Sequence, residues 1–353
     1  MAEIRYTTRE SVASSLEAKL TARINRVIDE ATAAATGAVD GLCHRRFYPE
    51  LRTMTWDWPN RQSPTPGLLW LDANELISVS TLSSGGTAIA SPDYLLRPDD
   101  GPPFTRIEIN LAGSAAFGGG ATSQRDITVA GLFGYRNDEA AAGTTTEALD
   151  ASETLVDVSD SAAIGIGDLI RVDSERMIVT EKRMLDTGQN TAGSLAEDVT
   201  AQTLAVADGT AFTPGETVLV GSERMLIDDI AGNNLIVERG ADSTTIAAHA
   251  PGLDIYVPRT LVVTRGVLGT TAATHTLGTA AYRFQPPPLV RELATEEAIT
   301  TVLERVTGLA RITGKFSSRL GRQAFGDTEG YGKVSDGRRE AVGQGLEALR
   351  FDC

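Results

Sequence analysis

The feature that most limits how this chain can fold is a repeat at two different spacings. Ser-Glu-Arg-Met at 174–177 recurs at 222–225, inside the longer matching stretches Thr154 to Val179 and Thr203 to Ile227, an offset of 48 residues. A second match aligns Ile236 to Tyr256 with Val262 to Tyr282 at an offset of 26. There Arg239 pairs with Arg265, Gly240 with Gly266, Thr245 with Thr271, His249 with His275, Gly252 with Gly278 and Tyr256 with Tyr282. Tandem duplication keeps one period, so two offsets exclude it. Nesting satisfies both. A complete inner copy at 202–257 sits within a loop of an outer copy split into 154–185 and 260–284. Each copy reads as short β segments, turning at Gly167-Asp168 or Gly215-Glu216 and again at its Arg-Gly pair.

The repeated polar residues read as architecture. Glu175-Arg176 and Glu223-Arg224 are expected to be buried pairs fixing a turn. His249 and His275 occupy equal places, and a catalytic or metal role would require one site built twice with no further histidine nearby. Histidines held by hydrogen bonds in packed turns are the simpler account. Arg239, Gly240, His249, Arg265, Gly266 and His275 are therefore assigned to the core. Residues 145–284 carry 20 acids against 9 Lys and Arg, and so −11 of the chain's formal −15. They are expected to form an inserted, solvated, acidic all-β domain.

The flanks read as helical. From Thr21 to Pro49, apolar residues recur every three or four positions, including Ile24, Val27, Ile28, Ala31, Ala35 and Ala38, which keeps one face apolar. Ala34, Gly37 and Gly41 suit close approach by a neighbour. Pro49 is the expected stop, and Arg45, Arg46, Phe47 and Tyr48 before it read as a helix end sealed by aromatics. Short strands follow around Leu68 to Leu71, Ile77 to Leu82, Tyr94 to Leu96, Arg106 to Leu111 and Asp126 to Gly131, with a hairpin turn at Ser83 to Gly86. After Pro286-Pro287-Pro288 an amphipathic helix resumes from Leu289 to Leu309. From Arg305 to Arg322 there are five cations and no acid. Ser335 or Asp336 caps a last expected helix with Val342, Leu346 and Leu349 on one face. The expected class is α+β: a helical core built from both chain ends (1–140 with β hairpins, and 286–353) with a small β region, plus the inserted domain.

Composition excludes several functions. No apolar run approaches the ~20 residues that span a bilayer, so no membrane role is expected, and MAEIRYTTRE lacks a signal-peptide core. Two cysteines, Cys43 and Cys353, argue against a disulfide scaffold or a cysteine zinc site. Gly118-Gly119-Gly120 lacks the Lys-Ser/Thr of a phosphate loop, and no hydrolase, Walker or Rossmann signature occurs. No enzyme, cofactor or metal is expected. A net charge of −15 opposes broad nucleic-acid binding.

Three stretches resemble the head-to-tail connector (adaptor) proteins of long-tailed bacteriophages: VDGLCHRRFYP at Val39 to Pro49; LLWLDANELISVSTLSSGGTAI with DYLLRP, followed by ITVAGLFGY at Ile127 to Tyr135; and the paired C-terminal helices. The pattern at Arg265 to Gly278 resembles a β module of phage structural proteins. The resemblance covers the chain to about Asn137 and from Pro286 onward, with the β domain as an elaboration. It implies a virion protein of the neck, made in the host cytoplasm. Such a subunit forms a ring (usually a dodecamer) between the portal protein ring and a stopper or tail-completion protein. DNA passes its acidic lumen without sequence-specific binding. Portal contact is expected from Arg311, Lys315, Phe316, Arg319, Leu320, Arg322 and Phe325. The alternatives are another tail or baseplate component, or a glycan-binding adhesion protein; few aromatics in the β domain count against the latter.

Overall fold

The computed structural model describes residues 4–16, 22–59 and 67–312. Among them are three α-helices: α1 (Arg9–Leu16), α2 (Ala22–Cys43) and α3 (Pro288–Ile312). The apolar face of α2 buries Ile28, Ala31, Ala35 and Val39 against Val290, Leu293, Ile299 and Val302 of α3, with Val12 of α1 and Phe47 in the same cluster. Thr7 and Thr295 hydroxyls meet at 2.8 Å, tying the N-terminal arm to α3. α2 does not run on to Pro49. It ends at Cys43, because His44 takes left-handed backbone (φ 52°), and one such residue breaks the helical ladder. Arg45 to Tyr48 then form a short link into the first sheet.

Seven strands follow: β1 (Glu50–Trp56), β2 (Leu68–Trp70), β3 (Leu76–Ser84), β4 (Thr87–Ile89), β5 (Tyr94–Arg97), β6 (Arg106–Ile109) and β7 (Ile127–Phe133). They make one sheet ordered β1-β7-β3-β4 and another ordered β2-β6-β5. Leu69, Leu71, Leu76, Ile107, Ile127 and Val129 are wholly buried in their shared core. The β3–β4 turn uses Gly85 and Gly86, both at positive φ (57° and 81°), as tight hairpins require.

Ten strands remain: β8 (Glu139–Thr144), β9 (Leu155–Asp157), β10 (Leu169–Val172), β11 (Glu175–Asn190), β12 (Thr203–Ala205), β13 (Thr217–Val220), β14 (Glu223–Ala231), β15 (Asn234–Glu238), β16 (Asp254–Thr264) and β17 (Ala280–Phe284). They join one sheet of order β12-β15-β14-β13-β16-β11-β10-β17-β8, with β9 also on β16. The expected class is therefore corrected. Among the described residues 39% are strand against 19% helix, so the protein is mostly β rather than a helical core with a small β region. Helical periodicity identified real helices, but the short two-residue alternations between turns were undercounted and dominate the architecture.

Strand pairing follows both repeat offsets. Val172 faces Glu175 as Val220 faces Glu223. Arg171 faces Tyr282 as Leu219 faces Tyr256. Val156 faces Leu261 as Leu204 faces Leu235. The likeness also extends upstream of 202: Thr145 bridges Val158 and Leu149 bridges His275, as Thr191 bridges Val206 and Leu195 bridges His249. Each copy has its own core, around Val156, Ile170, Met177 and Leu261 in one and Leu204, Val218, Met225 and Leu235 in the other. The outer copy also packs on the N-terminal part. The Arg9 amide donates to the Ile166 carbonyl (3.1 Å), the Ile166 amide to Glu10 Oε2 (2.8 Å), and the Leu51 amide to the Leu268 carbonyl (2.9 Å).

Candidate functional site

The link after α2 runs into a joint built from three distant parts of the chain. Arg45 Nη2 lies 3.2 Å from Glu75 Oε1, with both side chains nearly buried. Its guanidinium also lies 5.3 Å from the centre of the Tyr135 ring, close enough for a cation–π attraction. The Tyr135 ring meets Phe47 edge-on at 5.4 Å. Backbone bonds fix the same junction: the Tyr135 amide donates to the Arg46 carbonyl (3.2 Å) and the Gly134 amide to the Glu75 carbonyl (2.9 Å). From the other side, the Tyr6 hydroxyl donates to Asp40 (2.6 Å) and accepts from the Phe47 amide (3.0 Å).

Beside this junction opens a cleft of about 500 Å³, lined by Asp40, His44, Arg45, Arg46, Glu50, Arg52 and Glu75 among others. Arg46 and Arg52 converge on Glu50, at 3.2 and 3.7 Å, and the Arg46 head stays more than half exposed. Burial pushes the Glu75 carboxyl up against the opposing pull of Arg45. Its Oε2 is buried and has no hydrogen-bond partner among the described residues. The cleft thus offers guanidinium donors and a carboxylate acceptor side by side, which suits docking of a polar side chain from another surface.

Burial raises the Asp40 carboxyl to about 6, against the Tyr6 hydrogen bond and Arg46, which pull it down. The folded pKa stands above the ordinary 3.8, so this group favours folding below that value and loses its contribution as pH rises through about 6. Asp40→Asn keeps an acceptor for Tyr6 and removes the titration. The denaturation midpoint is expected to hold or rise at neutral pH, and its slope between pH 4 and 6 to flatten. An unchanged pH profile would show that Asp40 is not the titrating group.

The β domain holds two equivalent buried clusters. Glu223 accepts from Arg239 Nε (2.7 Å) and Nη2 (2.9 Å) and from the amides of Gly240 (3.1 Å) and Ala247 (3.0 Å), and lies 2.8 Å from His249 Nε2. Glu175 does the same with Arg265 (2.7 and 2.7 Å), Gly266 (3.0 Å), Ala273 (3.0 Å) and His275 Nε2 (2.9 Å). Each arginine also donates to backbone carbonyls, Ala247 and Ala201 from Arg239 and Ala273 and Glu153 from Arg265. Burial alone would raise these carboxyls, but the arginine, histidine and amide bonds hold both at about 2. The expected Glu-Arg neighbours are corrected: Arg176 reaches Asn137 and Arg224 reaches Asp242, and the partner of each glutamate is the arginine of the Arg-Gly turn. Adjacent residues on a strand face opposite sides, so the pair could not close within the tetrapeptide. The copies differ at one point. His275 Nδ1 lies 2.8 Å from Asp173, which stands where the inner copy has Gly221.

No family model matches the chain, and no curated protein or solved structure matches it significantly. Arg45, Arg46, Phe47 and Tyr48 meet at the joint, and the six β-domain residues at the two clusters. The joint and the outer cluster border one recess, lined by Asp40, Tyr48 and Glu50 on one side and Arg265 and Gly266 on the other. Of the expected portal-binding residues, Arg311 falls in the last turn of α3 and its side chain is not described. Lys315, Phe316, Arg319, Leu320, Arg322 and Phe325 lie outside the described residues. Sequence reasoning missed Tyr6, Asp40, Glu75 and Gly134. No local signal marked them: Glu75 stands in a stretch, 68–79, that also holds Asp72 and Asn74.

Proposed function

We propose that this chain is a structural virion subunit, a head-to-tail adaptor that forms a ring beneath a portal and links it to a stopper or tail component. One observation carries the reading. Val39 to Pro49, Leu68 to Ile89 and Ile127 to Tyr135, the stretches behind the connector resemblance, converge on the joint through Arg45, Glu75 and Gly134-Tyr135. The two buried Glu-Arg-His clusters of the β domain support it as well, since their hydrogen bonds are used within the fold. In this reading the helices and the two small sheets form the ring body and the β domain projects from it. DNA passes an acidic lumen that offers its phosphates no basic sites. The basic segment around Arg319 and Arg322 docks on the portal.

Mass photometry of the purified chain, alone and with the portal of the same virus, tests this. A large discrete complex is expected only in the mixture, and charge reversal at Arg319 and Arg322 is expected to abolish it. No complex with the portal, or a complex that survives the reversal, would overturn the assignment or its docking segment respectively.

A further inference from the structure

The sheet β1-β7-β3-β4 ends in open edges that match each other. Every pairing within it is antiparallel, so β4 runs opposite to β1. The Leu51 amide points away from β7 and donates to the Leu268 carbonyl. Backbone groups alternate sides along an antiparallel strand, so those of Thr53 and Thr55 point the same way as Leu51. Among the described residues nothing meets them there. On β4, the Gly85-Gly86 turn makes Ser84 and Thr87 a hydrogen-bonded pair. That turns the backbone of Ala88 outward, and that of Ala90, which is still extended (φ −78°, ψ 157°). The Ala90 carbonyl accepts from the Asp93 amide (2.9 Å), and its own amide has no partner among the described residues. Natural sheet edges are commonly guarded by charge or proline. Thr53, Thr55, Thr87, Ala88 and Ala90 carry neither, and their side chains are exposed.

We propose that β4 of one copy of this chain pairs with β1 of the next, Ala88 opposite Thr55 and Ala90 opposite Thr53. The side chains select that register. Thr55, Thr128, Ser83 and Ala88 form one straight row from edge to edge, and the pairing repeats this row of small residues from copy to copy. On the opposite face the next row is Met54, Val129, Leu82 and Ile89. Val129, Leu82 and Ile89 are buried, whereas Met54 is only partly so. The pairing sets the partner's Ile89 beside Met54 and completes its cover. A slip of one residue would turn Ile89 to the other face, and a slip of two would set it against Arg52. The paired edges are different surfaces, so the contact is head-to-tail, the kind that closes into a ring where the rotation per copy allows. It supplies the ring contact of the adaptor reading and in that role rests on it; the pairing itself follows from the sheet alone.

Cross-linking without a portal tests it. Thr55→Cys and Ala88→Cys are made separately in a full-length Cys43→Ala, Cys353→Ser background, concentrated, and treated with a short bismaleimide. A linked dimer is expected in the mixture and in neither variant alone, and the double variant is expected to give a ladder of dimer, trimer and larger products. Adding Ala90→Pro to the Ala88→Cys variant removes an outward amide at a φ that suits proline. The link should then be lost while the thermal midpoint holds. No link in the mixture, a link in Thr55→Cys alone, or a link indifferent to Ala90→Pro would each overturn the pairing. The portal mixture tests the adaptor reading separately, so either can fail without the other.

Discussion

Glu223→Gln is expected to unfold the inner β copy selectively. The change is isosteric, so packing volume is kept and only the charge is removed. The Arg239 side chain is fully buried, and the substitution leaves its guanidinium without a counter-charge. Breaking a buried pair by removing one partner costs about 3–5 kcal/mol. Hydrogen exchange should show protection lost across Leu204, Val218, Met225 and Leu235, the core of that copy. The outer copy, whose own glutamate is intact, should hold. Glu175→Gln should do the converse, somewhat less severely, because Arg265 is slightly more exposed than Arg239. Loss of protection in both copies at once would mean that they unfold as one unit. The same pair sets the acid limit. Both carboxyls are depressed from 4.5 to about 2, so their contribution is complete above pH 4.5 and disappears as pH falls toward 2. In Glu223→Gln the acid transition of the inner copy should no longer show that drop.

Gly134→Ala should open the joint. Gly134 has a φ of 131°, and an added Cβ would stand 2.2 Å from the Tyr48 carbonyl oxygen. That neighbour is backbone, so it cannot swing aside as a side chain would. Strain of this kind costs about 1–3 kcal/mol and overpacking a similar amount. The amide of Gly134 also holds the Glu75 carbonyl, so the displacement reaches the Arg45–Glu75 pair. A lowered denaturation midpoint is expected, together with a weaker near-ultraviolet dichroism signal from the Tyr135–Phe47 contact. Unchanged stability would refute the close approach of Tyr48 and Gly134. The equivalent change at Gly86, where a Cβ meets nothing, should cost only the backbone strain of its positive φ.

The nested repeat was legible in the sequence because identical residues must occupy equivalent turns. Glu-Arg-Met and Arg-Gly recur, and the structure pairs their strands with the same two offsets. Which arginine meets Glu175 was not legible. Arg176 is next in sequence, but the partner Arg265 is 90 residues away, and only the strand topology brings it in. The end of α2 was misjudged for a similar reason. Pro49 is a strong local signal, whereas the left-handed turn at His44 is imposed by the joint that Phe47 and Tyr48 enter. The fold class failed on balance. A 22-residue helix announces itself by periodicity, and three- or four-residue strands such as β9, β12 and β13 do not. The joint was half visible: its aromatics and arginines stood out, but Glu75 and Gly134 depend on contacts that no local pattern encodes.

Nesting also fixes an order of folding. Glu223 needs Arg239, only 16 residues later, whereas Glu175 waits for Arg265 at a separation of 90. During synthesis the inner copy can therefore close while the outer one is still an open strand pair with its glutamate unmatched. Once closed, it draws β11 and β16 together and shortens the loop that the outer copy must bridge, easing a closure whose entropic cost grows with length. The inner copy thus serves as a built-in splint for the one that surrounds it. A defect in the inner copy delays the outer one and leaves its unpaired strands exposed to association with other chains.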